Sequence, residues 1–218
     1  MSNLMGVFMK TLALLSFLLF SLSHGQKAVL PFASEGNILE LSVKNGSSAV
    51  ITAVAVEATD IPAWITFKQR QKLIASLAGD SQEMALFTFS VDRKAPVGSD
   101  EKIGFLISTP QGRSWKMELT VSVAPPEKFE LFQNYPNPFN ATTAISYQLS
   151  AVSRVRLNVY NLIGQNVKSV FLGEKGAGYY QETWDASSLS SGIYVYELTA
   201  SDAANKQIIS RKRMTVVK

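Results

Sequence analysis

The stretch Ser114–Val123 alternates strictly, with Trp115, Met117, Leu119, Val121 and Val123 apolar and Lys116, Glu118, Thr120 and Ser122 polar. A period of two sends successive side chains to opposite faces of a pleated strand, so this segment predicts a half-buried β-strand. The same period recurs at Leu39, Leu41 and Val43 and at Ala85, Phe87, Phe89 and Val91, while no long stretch follows the 3.6-residue period of an amphipathic helix. Lys72–Leu77 comes nearest to a helical fragment and reads as a loop or strand. Ala49–Ala58 is nearly all apolar or Thr, the composition of a central strand covered on both faces. Ile103–Ser108 and a short strand near Val29–Phe32 complete the set. Turn clusters separate these strands at Asn45-Gly46-Ser47-Ser48, Ala95-Pro96-Val97-Gly98 and Pro110-Gln111-Gly112. Such spacing predicts an antiparallel sandwich over residues 26–123.

Ala124-Pro125-Pro126-Glu127-Lys128 then interrupts the pattern. Paired prolines fix φ and remove two donors, so no ladder continues through them, and residues 124–128 are expected to be a linker. Strands resume at Ile145–Leu149, Val155–Val159, Val167–Leu172, Tyr179–Trp184, Ile193–Leu198 and Ile208–Val217. Residues 129–218 therefore form a second small all-β domain.

The start of the chain has a different character. Lys10 precedes an apolar run from Thr11 to Leu22, and Ser23-His24-Gly25 puts small residues where signal peptidase needs them. Residues 1–25 are expected to be a signal peptide, cut before Gln26. Twelve helical residues reach about 18 Å against a hydrocarbon core of about 30 Å, so the run is short for a span. An uncleaved anchor starting at Leu4 would have to bury Lys10. No other segment approaches a spanning length, so the mature protein is expected to have no membrane span.

The one histidine, His24, lies in that leader, and the chain contains no cysteine. Without either in residues 26–218, imidazole bases, Ser-His-Asp triads, thiol nucleophiles, ordinary zinc sites and disulfides are excluded from the mature chain. The absence of cysteine also excludes a lipoprotein anchor. Among the carboxylates, Glu57 with Asp60 and Asp100 with Glu101 are the closest pairs, and no cleft is implied between them. Asp100-Glu101 reads as a solvated turn. No acidic loop has calcium-ligand spacing, and no motif singles out a Ser-Lys dyad. No catalytic, cofactor-binding or metal-binding residue is assigned, and the protein is expected not to be an enzyme.

The net charge of +4 is local. Lys206, Arg211, Lys212, Arg213 and Lys218 crowd the last thirteen residues, which carry no acid. Without these and Lys10, acids outnumber bases, and aromatics do not interleave with Lys and Arg, so no nucleic-acid partner is expected. A basic last strand also resists sheet-to-sheet aggregation.

Phe129-Glu130-Leu131-Phe132-Gln133-Asn134-Tyr135-Pro136-Asn137-Pro138-Phe139-Asn140 is an unusual run. Its prolines push Tyr135 and Asn137 toward extended geometry, and a rigid entry turn with Phe139 plugging the sandwich would account for it. The wording closely resembles the start of the C-terminal sorting domain of proteins exported by the bacterial type IX secretion system. Later segments keep step: Ala144–Leu149, Val159-Tyr160-Asn161, Gly164-Gln165, Ala177-Gly178, Trp184-Asp185, Leu189–Tyr196 and the basic end at Lys218. The resemblance covers 129–218 and implies an Ig-like sandwich that serves as an address. It further implies recognition by the outer-membrane machinery after passage through the periplasm, removal by a sortase-like peptidase, and transfer in some members to surface lipopolysaccharide.

By that resemblance the sorting-signal residues are Tyr135, Pro136, Asn137, Pro138, Phe139, Asn140, Gly164, Trp184, Gly192, Tyr194, Lys206 and Lys218. Ala141 departs from the family, which often has a further proline there, and the departure is expected to soften the turn without removing recognition. Flagellar hook-capping proteins share a similar fold, and the leader argues against that assignment. Residues 26–123 look like Ig-like accessory domains of bacterial surface proteins and glycosidases. The whole is thus expected to be two Ig-like antiparallel β-sandwiches in tandem after a signal peptide, secreted or displayed on the outer-membrane exterior. The cargo is expected to be adhesive or structural. The alternative is a carbohydrate-binding module using Trp64 and Trp115, each of which also reads as core; a carboxylate-dependent hydrolase fits least.

Overall fold

The computed structural model describes the backbone of residues 7–12 and 20–22 and the whole of residues 27–218. The expected leader and its cleavage point lie outside the described residues, apart from two backbone strands, β1 (Val7–Leu12) and β2 (Phe20–Leu22). The chain divides into two compact units, Met1–Ala124 and Pro125–Lys218, and the described residues are all-β.

In the first unit β3 (Lys27–Leu30), β4 (Asn37–Lys44), β5 (Ile51–Thr59), β6 (Ile65–Phe67), β7 (Gln71–Leu77), β8 (Gln82–Val91), β9 (Glu101–Ser108) and β10 (Ser114–Val123) follow in order. One sheet runs β2-β1-β4-β8-β6 and the other β3-β10-β9-β5-β7. The alternating residues read from sequence meet between them: Leu39, Leu41, Val43, Phe87 and Phe89 from one sheet bury against Val54, Val56, Phe105, Ile107 and Val121 from the other. Full burial of such side chains contributes roughly 1.5–3 kcal/mol each. Phe67, Phe87 and Phe105 form an aromatic knot, with ring centroids 5.6–6.4 Å apart and two of the three pairs edge-on.

One expectation needs correction. Ala49–Ala58 is covered on one face only: β5 lies inside its sheet between β7 and β9, yet Thr52 and Glu57 on its outer side are exposed. Lys72–Leu77, read as a loop or strand, is strand, the edge partner of β5. The three residues of β6 are too few to display a period, and they were not anticipated. The antiparallel sandwich expected here is present, with one parallel strand pair within it. β3 sits in the sheet opposite β4 and joins the last strand of the unit, β10, running parallel to it from Lys27↔Thr120 to Leu30↔Val123.

The second unit comprises β11 (Glu130–Leu131), β12 (Thr142–Leu149), β13 (Ser153–Tyr160), β14 (Asn166–Lys175), β15 (Gly178–Asp185), β16 (Gly192–Ser201) and β17 (Gln207–Val216). A three-stranded sheet, β11-β12-β15, faces a four-stranded one, β14-β13-β16-β17. Ile145, Tyr147, Leu149 and Trp184 pack with Leu157, Tyr196, Leu198 and Met214 in the core. Edge strand β14 is kinked by register shifts at Val155/Arg156 and Val159/Tyr160 and by Gly173 at φ +93°. Such bulges discourage pairing with another sheet.

Candidate functional site

The Tyr135–Asn140 run leaves β11 and lies along the free edge of β17. Gln133 Nε2 donates to the Arg213 carbonyl at 2.7 Å, and the Thr215 N–H donates to Asn137 Oδ1 at 2.8 Å. Phe139 then exchanges backbone bonds with the strand, its N–H reaching the Thr215 carbonyl at 3.1 Å and its carbonyl accepting the Val217 N–H at 2.9 Å. These contacts clip the motif to the last strand, and the Phe139 side chain, 2% exposed, anchors the clip in the core.

The other side of the run is held from within the sandwich. Tyr196 Oη accepts the Asn134 N–H and donates to the Phe132 carbonyl, both at 2.8 Å. Burial pushes the Tyr196 phenol up to about 12, with the bond from Asn134 acting weakly the other way. Asn134 Nδ2 and Thr143 Oγ1 both donate to the Pro136 carbonyl, at 3.0 and 2.7 Å. Tyr135-Pro136 and Asn137-Pro138 are both cis peptides, and Tyr135 is 83% exposed while its backbone pairs with Ala144.

The remaining expected sorting residues divide between two ends of the unit. Trp184, opposite Thr143, is buried with Lys168 Nζ 4.8 Å above its ring. Gly192 pairs with Val216 and Tyr194 with Met214, next to the clip. Tyr194 Oη donates to the Ser190 carbonyl, and Lys218 donates through its N–H to Ser191 Oγ and through Nζ to the Ser187 carbonyl. Gly164, at φ +81°, closes the β13–β14 turn, where its N–H donates to the Asn161 carbonyl. Asn140 is exposed, and its carbonyl accepts the Thr142 N–H. Lys206 stands apart, in the β16–β17 turn at the far end of β17, where its N–H donates to Asp202 Oδ1.

At Ala141, where the sequence departs from the family, the backbone is left-handed. Ala141 has φ +62°, which proline, locked near −65°, cannot adopt. The turn's shape at this position therefore does not accommodate the family's proline.

Sequence reasoning missed Glu197. This carboxylate is 6% exposed on the outer face of the four-stranded sheet, where it accepts Arg211 Nε at 2.6 Å, Tyr160 Oη at 3.2 Å and Asn158 Nδ2 at 3.3 Å. Burial raises its pKa, but the hydrogen bonds from Arg211, Asn158 and Tyr160 and the Arg211 charge outweigh it and hold the carboxyl below its usual range. Only the strand register Glu197↔Arg211 reveals the pair.

Because Arg213, Thr215 and Val217 turn their backbone groups toward the motif, alternation along the strand turns those of Gln207, Ile209 and Arg211 the same way, beyond the end of the clip. This half of the β17 edge carries Ile208, Ile209, Arg211 and Lys212, all exposed. Residues 133–211 match the family model described as the secretion system C-terminal sorting domain. The second unit is a domain of that family. A sorting domain of this family implies secretion or cell-surface export through the type IX secretion system.

No curated protein matches the chain. Among solved structures it is similar to dimeric latent PorU from Porphyromonas gingivalis, at 11% identity and TM-score 0.37, over 97% of this chain and 20% of that one. It is similar to the YadV chaperone at 9% identity and TM-score 0.30, over 86% and 96% of the two chains. The chain thus spans about a fifth of the PorU structure.

In the first unit Glu57 and Asp60, between which the sequence implies no cleft, are exposed, and Asp100 pairs with Lys27. Glu101 is not in a solvated turn: it opens β9 and accepts Trp64 Nε1 at 3.2 Å, which fixes the buried indole as core. Among the described residues no group of three or more acids or histidines gathers as a metal site, and no helix is long and apolar enough to cross a membrane.

Proposed function

We propose that the protein is a non-enzymatic secreted or surface protein whose second unit carries an adhesive or structural first unit out of the cell. The observation behind this reading is the clip between Asn137, Phe139 and the last strand, which joins the start and end of the sorting domain into one folded signal. The secretion machinery would read the folded unit after signal-peptide cleavage and periplasmic passage. A sortase-like peptidase would then cut near residues 124–130 and release the cargo or pass it to surface lipopolysaccharide. The lack of His and Cys in residues 26–218 supports a cargo without catalysis.

Deleting Ile208–Lys218 should abolish secretion, but it also removes the clip and with it the fold. Lys212→Glu with Arg213→Glu provides the test with the strand intact. Secretion lost at unchanged thermal stability supports the reading, whereas export of both variants at the native level refutes it. Intact-mass analysis of the surface species reads the processing: a chain from Gln26 to the linker supports cleavage, and one ending at Lys218 counts against it. The carbohydrate-binding alternative loses Trp64 to the core and retains Trp115.

A further inference from the structure

One end of the first unit holds a cleft of about 330 Å³, between the β4–β5 loop with the start of β5 and the hairpin that joins β9 to β10. Its walls are built rigidly. Asn45, 1% exposed, donates through Nδ2 to the carbonyls of Ala49, Leu77 and Ala78, and its Oδ1 accepts the Ser47 N–H and hydroxyl. Gly79 lies so close to this loop that a Cβ there would stand 2.2 Å from the Ser48 carbonyl oxygen. Facing it, Thr109 and Arg113 close the hairpin by a backbone bond of 2.9 Å.

The lining is chemically unusual in four respects. Thr109, 9% exposed, has a buried Oγ1 with no hydrogen-bond partner, although the hydroxyl can both donate and accept. Trp115 is half-buried and lines the cleft, having packed one part of its ring on the core. Arg113 also lines it, and no Asp or Glu does. Thr52 and Gln111 add neutral hydrogen-bonding groups. An aromatic surface beside hydroxyl and amide groups suits a ligand with an apolar C–H face and hydroxyls along its rim. A guanidinium without a carboxylate in the same cleft suits one that brings its own.

We propose that this cleft binds an acidic saccharide, with a sugar ring against Trp115, a uronate carboxylate on Arg113 and a ring hydroxyl that Thr109 Oγ1, sealed in this structure, meets when its side chain turns about χ1 toward the cleft. The proposal rests on the binding-module alternative and is independent of the export reading. Trigalacturonate titrated into the chain 26–218, with neutral maltotriose in parallel, tests it through tryptophan fluorescence. Trigalacturonate should give a saturable change. Thr109→Val, which removes the orphan hydroxyl at nearly constant shape, should weaken binding about tenfold while leaving the thermal midpoint unchanged or higher. Arg113→Gln should weaken trigalacturonate by at least as much. No saturable response up to about 10 mM, a range covering even weak binding, overturns the proposal, as does a response that survives both substitutions. Maltotriose binding as tightly as trigalacturonate, and lost in Trp115→Ala, overturns the acidic assignment while sparing the binding-module reading.

Discussion

The side-chain amide oxygen of Asn137 accepts the backbone N–H of Thr215 at 2.8 Å, across 78 residues of sequence. With the Phe139 pairings beside it, this bond makes the entry turn an extra partner for the closing strand. Asn137→Ala should cost about 1 kcal/mol, the usual net worth of one hydrogen bond. Phe139→Ala should cost about 3–5 kcal/mol because it also empties a core site. Hydrogen exchange locates the effect: protection of the Thr215 and Val217 amides should fall in both variants, and undiminished protection would show that the clip does not hold the strand.

Tyr196 ties the same turn to the core and makes the unit sensitive to alkali. Its folded-state pKa, about 12, lies above the ordinary 10.0, so its contribution is fully present below pH 10 and is lost as pH rises from 10 through 12. Burial, and after it the Glu182 charge, raises Tyr147 further in the same direction. Stability should therefore fall by about 1.4 kcal/mol per pH unit for each phenol across that window. Tyr196→Phe should flatten its share of this limb. It should also lower stability at neutral pH by about 1–3 kcal/mol, because the Asn134 N–H and Phe132 carbonyl lose a buried partner. Denaturant titrations at pH 8, 10 and about 11.5 separate the two effects.

Glu197 acts in the opposite range. Its folded pKa is lowered, so its stabilisation is present above the ordinary glutamate value and is lost as pH falls through the folded one. Glu197→Gln should leave a shallower acid limb than the native chain shows. Arg211→Ala should cost about 1–2 kcal/mol at neutral pH; the Arg211 side chain is 65% exposed, which limits the coupling, while the Glu197 side chain it abandons is buried. Equal acid limbs for the native chain and Glu197→Gln would show that the carboxylate has no special role.

Local pattern carried a large part of this architecture. Ser114–Val123 is β10 to the residue, and the six later runs fall within β12 to β17 or extend one residue beyond them, because a half-buried strand writes its period directly into sequence. What escaped depended on long-range register. The parallel pairing of β3 with β10 and the three-residue β6 arise only when strands distant in sequence are set side by side, and the Glu197–Arg211 pair depends on the register of the β16–β17 hairpin. The same holds for the sorting site. Tyr135–Asn140 was conspicuous as a string, but its attachment to Thr215 is a tertiary fact, and so is the placement of Lys206 away from it.

Ala141 gives the most direct test of the turn itself. A left-handed φ of +62° costs an alanine roughly 1–2 kcal/mol through the contact of its Cβ with the backbone. The position is nonetheless held, since the Ala141 carbonyl accepts the Ala186 N–H at 2.8 Å. Ala141→Gly should relieve the strain and stabilise the unit by up to about 1 kcal/mol, reduced by the added freedom of the unfolded chain. Ala141→Pro should destabilise it by about 3 kcal/mol or more, since the ring cannot reach positive φ. Thermal unfolding of the two variants decides the matter. A proline variant as stable as the native chain would mean that the turn adopts a negative φ at this position, and that the family's proline is compatible with this sequence after all.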